Sequence, residues 1–384
     1  MTISRGAPTE HPPPALRIGV VGASRTRGWA SMAHLPALAA LPGLTTSAVA
    51  STRIDGAREV AEQFGVPHAF GDPADLIACD EVDAVAITVK APDHDALVRQ
   101  AIAAGKHVFC EWPLGVDAAE ADALAELAAA SGLVHVVGLQ GYHSPGAVFV
   151  RDLIDRGTIG EVMGVSAVVL TPHLYGPQST GPMSYMLDPA NGVTLITVPT
   201  AHLLAALARC VGDLADVDAT LTVRHPKVTL TDTGEQVANS TPNELGIVGR
   251  LRSGALATLA LHGGAPSGAR RLSMQIVGTA GALLIGIDQL GAAVNVGDWT
   301  VTLAKPDGTS WQLEVPPPPD LPPGLPVPAR NVAIMYAELA RAVATGISPH
   351  LDFATAARYH HAVEAVGRAA ASGRREQVDP YSEF

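Results

Sequence analysis

Two stretches of this sequence place polar or titratable side chains directly after apolar runs. Glu111–Pro113 follows the run His107–Cys110, and Lys90 follows the run Ala84–Val89. A continuous apolar run bounded by turn signals is typical of a strand in the middle of a parallel sheet. Ligands of open α/β sheets bind just outside the carboxyl ends of the strands. We therefore expect a binding site at these residues.

A third strand-like run, Val134–Leu139, is followed by Gln140, Tyr142 and His143. We expect these side chains to line the same crevice, where Tyr142 offers a phenol and His143 an imidazole. The alternative is that Tyr142 and His143 close a boundary between two domains.

His202 is the best single candidate for general acid/base chemistry, because the unperturbed pKa of an imidazole is close to neutral. It lies inside an apolar, helix-like stretch from Leu195 to Val211. The alternative is an ordinary core histidine with satisfied hydrogen bonds.

The first strand-like run, Arg17–Val21, leads into a turn that is suited to a dinucleotide. Small residues between a strand and a helix let backbone N–H groups approach a pyrophosphate at the helix N-terminus. Only the first glycine of the G-x-G-x-x-G pattern is in place, since Ser24 and Arg27 occupy the second and third positions. An ordinary tight turn is the alternative. The residues predicted to bind here are Gly22, Ser24, Arg25, Thr26, Arg27, Gly28 and Trp29.

The end of the second strand indicates which dinucleotide would bind. A site that prefers NAD usually has a carboxylate there, whereas a 2′-phosphate requires hydroxyls and an arginine. This chain has Ser51, Thr52 and Arg53, with no acid before Asp55. The pattern favours NADP(H) over NAD(H); the alternative is that Arg53 is a solvated loop residue.

Strands and helices alternate through the first 140 residues, which predicts right-handed βαβ units and a doubly wound parallel sheet. Asp117 with Glu120 is a capping-box-like helix start, and Gly132 is a suitable stop. The predicted strands are Arg17–Val21, Thr45–Ser51, Ala84–Val89, His107–Cys110 and Val134–Leu139, and the predicted helices are Trp29–Ala40, Ala57–Phe64, Asp93–Ala104 and Asp117–Ala130.

The second half has a pattern typical of one antiparallel sheet. Its predicted strands are Val162–Thr171, Thr220–Val223, Glu244–Leu251, Ala255–His262, Arg271–Val277, Ala282–Ile287 and Ser310–Val315. A long connection at 173–188 contains Tyr175 and Tyr185, which suit a pocket wall. Pro316–Pro328 is predicted to run extended, and two helices, Arg330–Thr345 and Ala354–Ala371, are predicted to close the chain.

The composition bounds the class of protein. The 384 residues are 47% hydrophobic and 16% charged, with a net charge of -12. This acidity argues against direct binding of nucleic acid or anionic membranes. Three widely spaced cysteines fit reduced, mostly buried thiols rather than a disulfide framework. The adjacent His360 and His361 do not form a metal pattern, and no long uninterrupted apolar run occurs. We expect a cytoplasmic protein with a flexible tail at 1–15 and no metal.

Several segments resemble the glucose-fructose oxidoreductase / inositol dehydrogenase family. They are Arg17–Gly22, His34–Leu38, Val82–Ile87 with His94, Ala104–Val108 leading to Glu111 and Pro113, Leu153–Val162, Arg330–Val332 and Gly373–Arg375. The resemblance implies a Rossmann domain at 16–140, a substrate and oligomerisation domain at 141–329 with a large open, mostly antiparallel sheet, and closing helices at 330–384. It also implies cofactor contacts from Val89, His94, Glu111, Trp112, Pro113 and Gln140, and a homodimer or homotetramer formed through the second sheet.

The chain departs from that family at two polar positions. The family's Glu-Lys-Pro triplet has a lysine that assists proton transfer, and here Trp112 replaces it; an indole cannot titrate. The family's Asp, four residues before its histidine, is Val198 here, while His202 is kept. Lys90 is a candidate substitute for the missing lysine, or a solvated loop lysine. Pro113 also permits a cis Trp112–Pro113 bond.

Both departures resemble a branch that contains a yeast repressor of the galactose regulon and bacterial oxidoreductases. Two functions follow from the resemblance: an NADP(H)-dependent oxidoreductase acting on a small carbonyl, alcohol, imine or sugar-like substrate, or a non-catalytic dinucleotide-binding sensor or regulator that works through protein contacts. We predict catalytic roles for His202 and Lys90. The predicted substrate pocket consists of Trp112, Tyr142, His143, Tyr175, Tyr185, Asn191 and His202.

Overall fold

The computed structural model describes residues 15–24, 28–172, 174–265, 268–289 and 293–382. Its first domain is built on a six-stranded parallel sheet with the order β3-β2-β1-β4-β5-β6. This is the strand order of a doubly wound dinucleotide-binding fold, so the predicted fold class is confirmed. The strands are β1 (Leu16–Val21), β2 (Leu44–Ala50), β3 (His68–Phe70), β4 (Ala84–Ile87), β5 (His107–Glu111) and β6 (His135–Gly138), and the helices are α1 (Leu35–Ala40), α2 (Ile54–Phe64), α3 (Pro73–Ile77), α4 (His94–Ala103) and α5 (Ala118–Ser131).

The buried strands and the ends of helix α5 agree with the sequence-based predictions for this domain. All of β4 and the centre of β5 are buried, because helices cover both faces of the sheet. The Asp117 carboxylate accepts a hydrogen bond from the Glu120 N–H, and Gly132 ends α5 in the left-handed conformation. The pattern did not predict β3 and α3, which are only 3 and 5 residues long.

The second domain contains a nine-stranded sheet with the order β17-β16-β15-β14-β7-β13-β12-β9-β18. Only the β7–β13 pair is parallel, so the predicted mostly antiparallel sheet is confirmed. Its strands are β7 (Val162–Thr171), β9 (Leu214–Thr222), β12 (Glu244–Leu251), β13 (Leu256–Gly263), β14 (Leu272–Gly278), β15 (Gly281–Ile287), β16 (Thr300–Ala304), β17 (Ser310–Leu313) and β18 (Glu376–Gln377). A small separate sheet contains β8 (Gln178–Ser179), β10 (Lys227–Leu230) and β11 (Gln236–Ala238).

Four α-helices of the described chain follow β6. They are α6 (Pro145–Asp155), α7 (Ala201–Val211), α8 (Val327–Thr345) and α9 (Phe353–Ser372). Helix α8 packs against α1 and β6, and α9 packs against α5, β6 and β9, so the end of the chain contacts both large sheets. Within the described ranges, no helix is both long enough and apolar enough to cross a membrane.

Candidate active site

A cluster of polar side chains surrounds Glu111, the last residue of β5. His34 Nε2 lies 2.9 Å from Glu111 Oε1, and the Gln140 side-chain amide donates to Oε1 at 2.9 Å and to Oε2 at 3.0 Å. Glu111 pairs with Gly138 across the sheet, and Gln140 follows Gly138 by two residues. The predicted crevice residues Glu111 and Gln140 therefore come together because their strands end side by side.

The missing side chain of Gly138 makes room for this carboxylate. A Cβ atom at Gly138 would lie 2.7 Å from the Glu111 carboxylate oxygens and Cδ, closer than real contacts allow. A glycine at the end of β6 is thus required by the position of the Glu111 carboxylate.

His34 links the carboxylate to the closing helix α8. Its Nδ1 lies 2.8 Å from the Tyr336 hydroxyl, and both side chains are fully buried. Burial and the Glu111 charge raise the pKa of Tyr336 well above its usual value, so the hydroxyl keeps its proton. Because Glu111 can only accept, His34 donates from Nε2 and accepts from Tyr336 at Nδ1.

His202 lies in the first turn of α7, directly after a π-helical turn at Ile196–Thr200 that accommodates Pro199. Its side chain is 6% exposed, and Nε2 is 3.4 Å from the side-chain nitrogen of Asn295. Burial lowers the pKa of His202 to about 4, against a smaller opposing effect of Glu111. The imidazole is therefore neutral near pH 7. Its Nδ1 is buried and has no hydrogen-bond partner within the described ranges.

Trp112 is buried between the strand end and two helices. The Trp112–Pro113 bond is cis, and the indole N–H donates to the Thr197 carbonyl at 2.7 Å. The His360 ring lies 4.5 Å from the indole, and burial lowers the pKa of His360 to about 3, so this imidazole is also neutral. The indole packs between the elements that meet at the site and contributes no titrating group.

The turn after β1 has the features of a dinucleotide-binding turn, although Arg25, Thr26 and Arg27 lie outside the described residues. Gly22 has φ +97°, and a Cβ there would lie 2.8–3.0 Å from Thr88. The Trp29 indole N–H is buried without a partner in the described structure, while Ser24 is exposed and Gly28 half-buried. A turn whose first position requires glycine, together with a buried N–H donor that has no partner in the described structure, is suited to a pyrophosphate group.

At the end of β2, the predicted 2′-phosphate residues are accessible. Ser51 is half-buried, and Thr52 and Arg53 are exposed. Arg53 forms no ion pair with a described residue, whereas Asp55 lies 3.7 Å from the Arg58 guanidinium. The loop after β2 therefore offers two hydroxyl groups, from Ser51 and Thr52, and the guanidinium group of Arg53.

His94 fixes the backbone around the crevice. Its Nδ1 lies 2.8 Å from the Pro113 carbonyl oxygen and its Nε2 3.1 Å from that of Val89. Burial lowers the pKa of His94. The imidazole connects the loops that follow β4 and β5, where Val89 and Pro113 were predicted to meet a cofactor.

Lys90 is exposed at the end of the β4 loop, and its Nζ lies 4.3 Å from the centre of the Tyr185 ring. This is cation–π geometry. The side-chain amide of Asn191 donates to the Tyr185 carbonyl at 2.8 Å. Three predicted site residues thus come together where the first domain meets the 173–191 connection.

The other predicted pocket residues make their contacts elsewhere. The Arg209 guanidinium lies 5.6 Å from the centre of the Tyr142 ring, and His143 Nε2 lies 2.9 Å from Glu338 Oε2. Burial alone would raise the pKa of Glu338, but His143 and His350 lower it to about 2. Tyr175 has φ 60° and a buried hydroxyl without a partner among the described residues. Tyr142 and His143 thus contact Arg209 and Glu338, respectively, rather than the Glu111 cluster.

His360 and His361 face different partners, as expected for adjacent helical residues. His361 Nε2 lies 3.0 Å from an Asp122 oxygen, whereas His360 contacts Trp112. No group of three or more His, Cys, Asp or Glu in the described part of the chain is arranged to bind a metal ion.

Four residues of the cluster were not predicted from the sequence to belong to the site: His34, Asn295, Asn331 and Tyr336. Asn331 donates from its side chain to the Asn295 backbone carbonyl at 2.8 Å. Three of them could have been found from the sequence, because they are polar residues within apolar helical segments: His34 just before α1, and Asn331 and Tyr336 inside α8. Asn295 lies in a loop and gave no such signal.

Two family models match consecutive parts of the chain. Residues 16–139 match an oxidoreductase family with an NAD-binding Rossmann fold, and residues 145–286 match the C-terminal domain of Gal80p. A dTDP-3,4-didehydro-2,6-dideoxy-alpha-D-glucose 3-reductase from Actinomadura kijaniata is 35% identical over 180 residues, 47% of this chain and 52% of that protein. The chain thus spans about half the length of this curated relative.

Two further proteins are similar over a longer part of the chain. The galactose/lactose metabolism regulatory protein GAL80 of Saccharomyces cerevisiae is 24% identical over 287 residues, 70% of this chain and 66% of that protein. The structure of a levoglucosan dehydrogenase in complex with NADH and L-sorbose superposes with a TM-score of 0.82 at 20% identity, covering 96% of this chain and 100% of that chain. The first domain of the chain thus resembles the oxidoreductase family with an NAD-binding Rossmann fold, and the segment that follows it resembles the C-terminal domain of Gal80p.

Proposed function

We propose that the protein is an NADP(H)-dependent oxidoreductase that transfers hydride to or from a small carbonyl, alcohol, imine or sugar-like substrate. The observation that supports this most directly is the neutral His202 imidazole beside the polar cluster at the end of β5. A bound nicotinamide dinucleotide would supply or accept the hydride. Gly22, Gly28 and Trp29 would bind its pyrophosphate, with Arg25, Thr26 and Arg27 of the same turn.

The protein's own residues would mainly orient the substrate and exclude water. His202 can accept a proton at Nε2, Glu111 fixes the orientation of neighbouring donors, and Trp112 closes the pocket without exchanging a proton. A proton-transfer residue typically contributes about 10² to 10⁴-fold to a rate. Positioning alone can therefore retain useful turnover after loss of the family's lysine.

Turnover tests the enzyme hypothesis. We expect NADPH fluorescence to change on binding and NADPH to be oxidised with some member of a panel of carbonyls, imines and sugars. His202→Ala should slow turnover by at least about 10²-fold. Lys90→Ala should slow it less, because Lys90 is exposed and contacts Tyr185. Arg341→Ala, on the outer side of α8, is a control expected to retain the rate.

The preference for NADP(H) is a separate proposal that rests on Ser51, Thr52 and Arg53. An exposed arginine with no acidic partner in the described structure suits a 2′-phosphate. We expect NADPH to bind more tightly than NADH, and Arg53→Ala to weaken NADPH binding while leaving NADH binding nearly unchanged. Isothermal titration of both dinucleotides measures this. Equal affinities in the wild type would contradict the preference.

A non-catalytic regulator is the second candidate function. It is favoured by Trp112 in place of the family's lysine and Val198 in place of its aspartate, and by the match of residues 145–286 to the Gal80p C-terminal domain. Tight dinucleotide binding without turnover on the panel, together with a specific protein partner whose binding changes with the dinucleotide, would favour this candidate over the enzyme.

We also propose that the open face of the nine-stranded sheet forms a homo-oligomer contact. Its outward residues include Val168, Val248 and Leu284, which are 40%, 46% and 41% exposed. Contiguous exposed apolar side chains on a sheet face are typical of an interface.

A further inference from the structure

Asn295 connects His202 to the Glu111 cluster. It lies in the connection between β15 and β16, and its side-chain nitrogen is 3.4 Å from both Gln140 Oε1 and His202 Nε2. The Asn331 side-chain amide donates a hydrogen bond to the Asn295 backbone carbonyl at 2.8 Å. Asn331 itself is fully buried in α8. The backbone of Asn295 is therefore held by helix α8, while its side-chain nitrogen contacts Gln140 and His202.

The directions of these hydrogen bonds follow from the charge on Glu111. An ionised carboxylate can only accept, so Gln140 must present its NH₂ group to Glu111 and its carbonyl oxygen to Asn295. Asn295 must then present its own NH₂ group to Gln140. The second hydrogen of the same NH₂ group is available to His202 Nε2. Along this line of contacts, Glu111 therefore determines which atom donates at each step.

We propose that Asn295, oriented by Gln140 and Glu111, is a positioning residue that fixes His202 as its Nδ1–H tautomer and leaves Nε2 as the free-base nitrogen. A neutral imidazole has one protonated nitrogen, so an acceptor at Nε2 requires the proton on Nδ1. The burial of His202, which keeps it neutral, is consistent with this assignment.

The consequence for chemistry rests on the proposed function. Nε2 faces the polar cluster and is the nitrogen that can accept a proton from a substrate hydroxyl. Nδ1 is buried and already carries a proton, so it cannot perform that task. A substrate hydroxyl would take the place of the Asn295 amide as the donor to Nε2. Asn295 thus preorganises the imidazole before the substrate binds, and it neither gives nor accepts a proton itself.

Nitrogen NMR on the intact protein labelled with ¹⁵N-histidine tests the tautomer without measuring turnover. The His202 signals are assigned by their loss in His202→Gln. At pH 7 we expect a pyridine-like Nε2 and a pyrrole-like Nδ1. Asn295→Asp replaces the donor with an isosteric acceptor, so the two nitrogens should exchange these signals, and the pKa of His202 should rise. Asn295→Ala should give averaged signals from both tautomers.

Asn191→Asp is the matched control, because the Asn191 amide contacts the Tyr185 carbonyl and not His202. It should leave the His202 signals unchanged. A wild-type protein with the proton on Nε2 would overturn the proposal, as would wild-type signals in folded Asn295→Asp and Asn295→Ala. Near-UV circular dichroism verifies folding of each variant. The NMR measurement requires no substrate, so a failure to find turnover would not affect the tautomer result. The proposed tautomer and the proposed enzyme function are therefore tested separately.

Discussion

Trp112 stabilises the site through its indole ring rather than through proton transfer. Its N–H bonds the Thr197 carbonyl in the π-helical turn that precedes His202, and its ring packs on His360 of α9. The residue therefore connects the end of β5 to the helix that contains His202. A lysine at this position could not supply the indole N–H bond or the ring contact with His360, and its charge would be costly to bury.

We expect Trp112→Phe to lower the free energy of unfolding by about 1–3 kcal/mol. The change removes the donor to the half-buried Thr197 carbonyl, and the loss of a partner from such an acceptor costs on this order. Urea unfolding followed by circular dichroism measures the effect. Trp311→Phe is the matched control, because Trp311 is 47% exposed on β17 and should change the value by less than about 0.5 kcal/mol. Equal effects of the two substitutions would contradict a structural role of the indole N–H.

At the scale of elements, the site depends on how closely the ends of β5 and β6 approach. Glu111 and Gly138 are neighbours in the sheet, and the carboxylate occupies the space above Gly138. Only a glycine leaves this space free. The position of Glu111, and with it the orientation of His34 and Gln140, is therefore a property of the strand pair.

Gly138→Ala should displace the Glu111 carboxylate and lower the free energy of unfolding by about 1–3 kcal/mol, as is typical of overpacking. The added Cβ would lie 2.7 Å from the carboxylate. Thermal and urea unfolding measure the change. Gly246→Ala in β12 is the control, since a Cβ there meets no atom within 4 Å. A Gly138→Ala protein as stable as Gly246→Ala would show that Glu111 moves aside at no cost.

The elements were predictable where the local pattern was strong. The buried runs of β4 and β5, the Asp117 cap and the Gly132 stop each determine structure within a few residues. The three-residue β3 is too short for a periodic signal. The contacts of Asn295 with Gln140 and His202 join residues 155 and 93 positions apart, so they depend on tertiary packing that no local pattern encodes.

At the scale of the whole molecule, the two large sheets differ in how they are covered. Helices bury both faces of the parallel sheet, whereas the nine-stranded sheet leaves a broad face open. In β12, buried and exposed positions alternate along almost the entire strand, which is the pattern of a sheet with one uncovered face. Ser166, Thr258 and Gln275 lie among the apolar residues of this open face.

A homo-oligomer formed through this face should be sensitive to charge at its centre. We expect Val248→Lys with Leu284→Lys to weaken self-association at least about tenfold, ~1.4 kcal/mol, because an unpaired ammonium group would be buried on each contact. Sedimentation velocity over a range of concentrations measures the change, and circular dichroism should remain that of the wild type. Ile347→Lys is the control, since Ile347 is 62% exposed beyond the end of α8. A wild-type protein that stays monomeric, or a double variant that associates as the wild type does, would place the contact elsewhere.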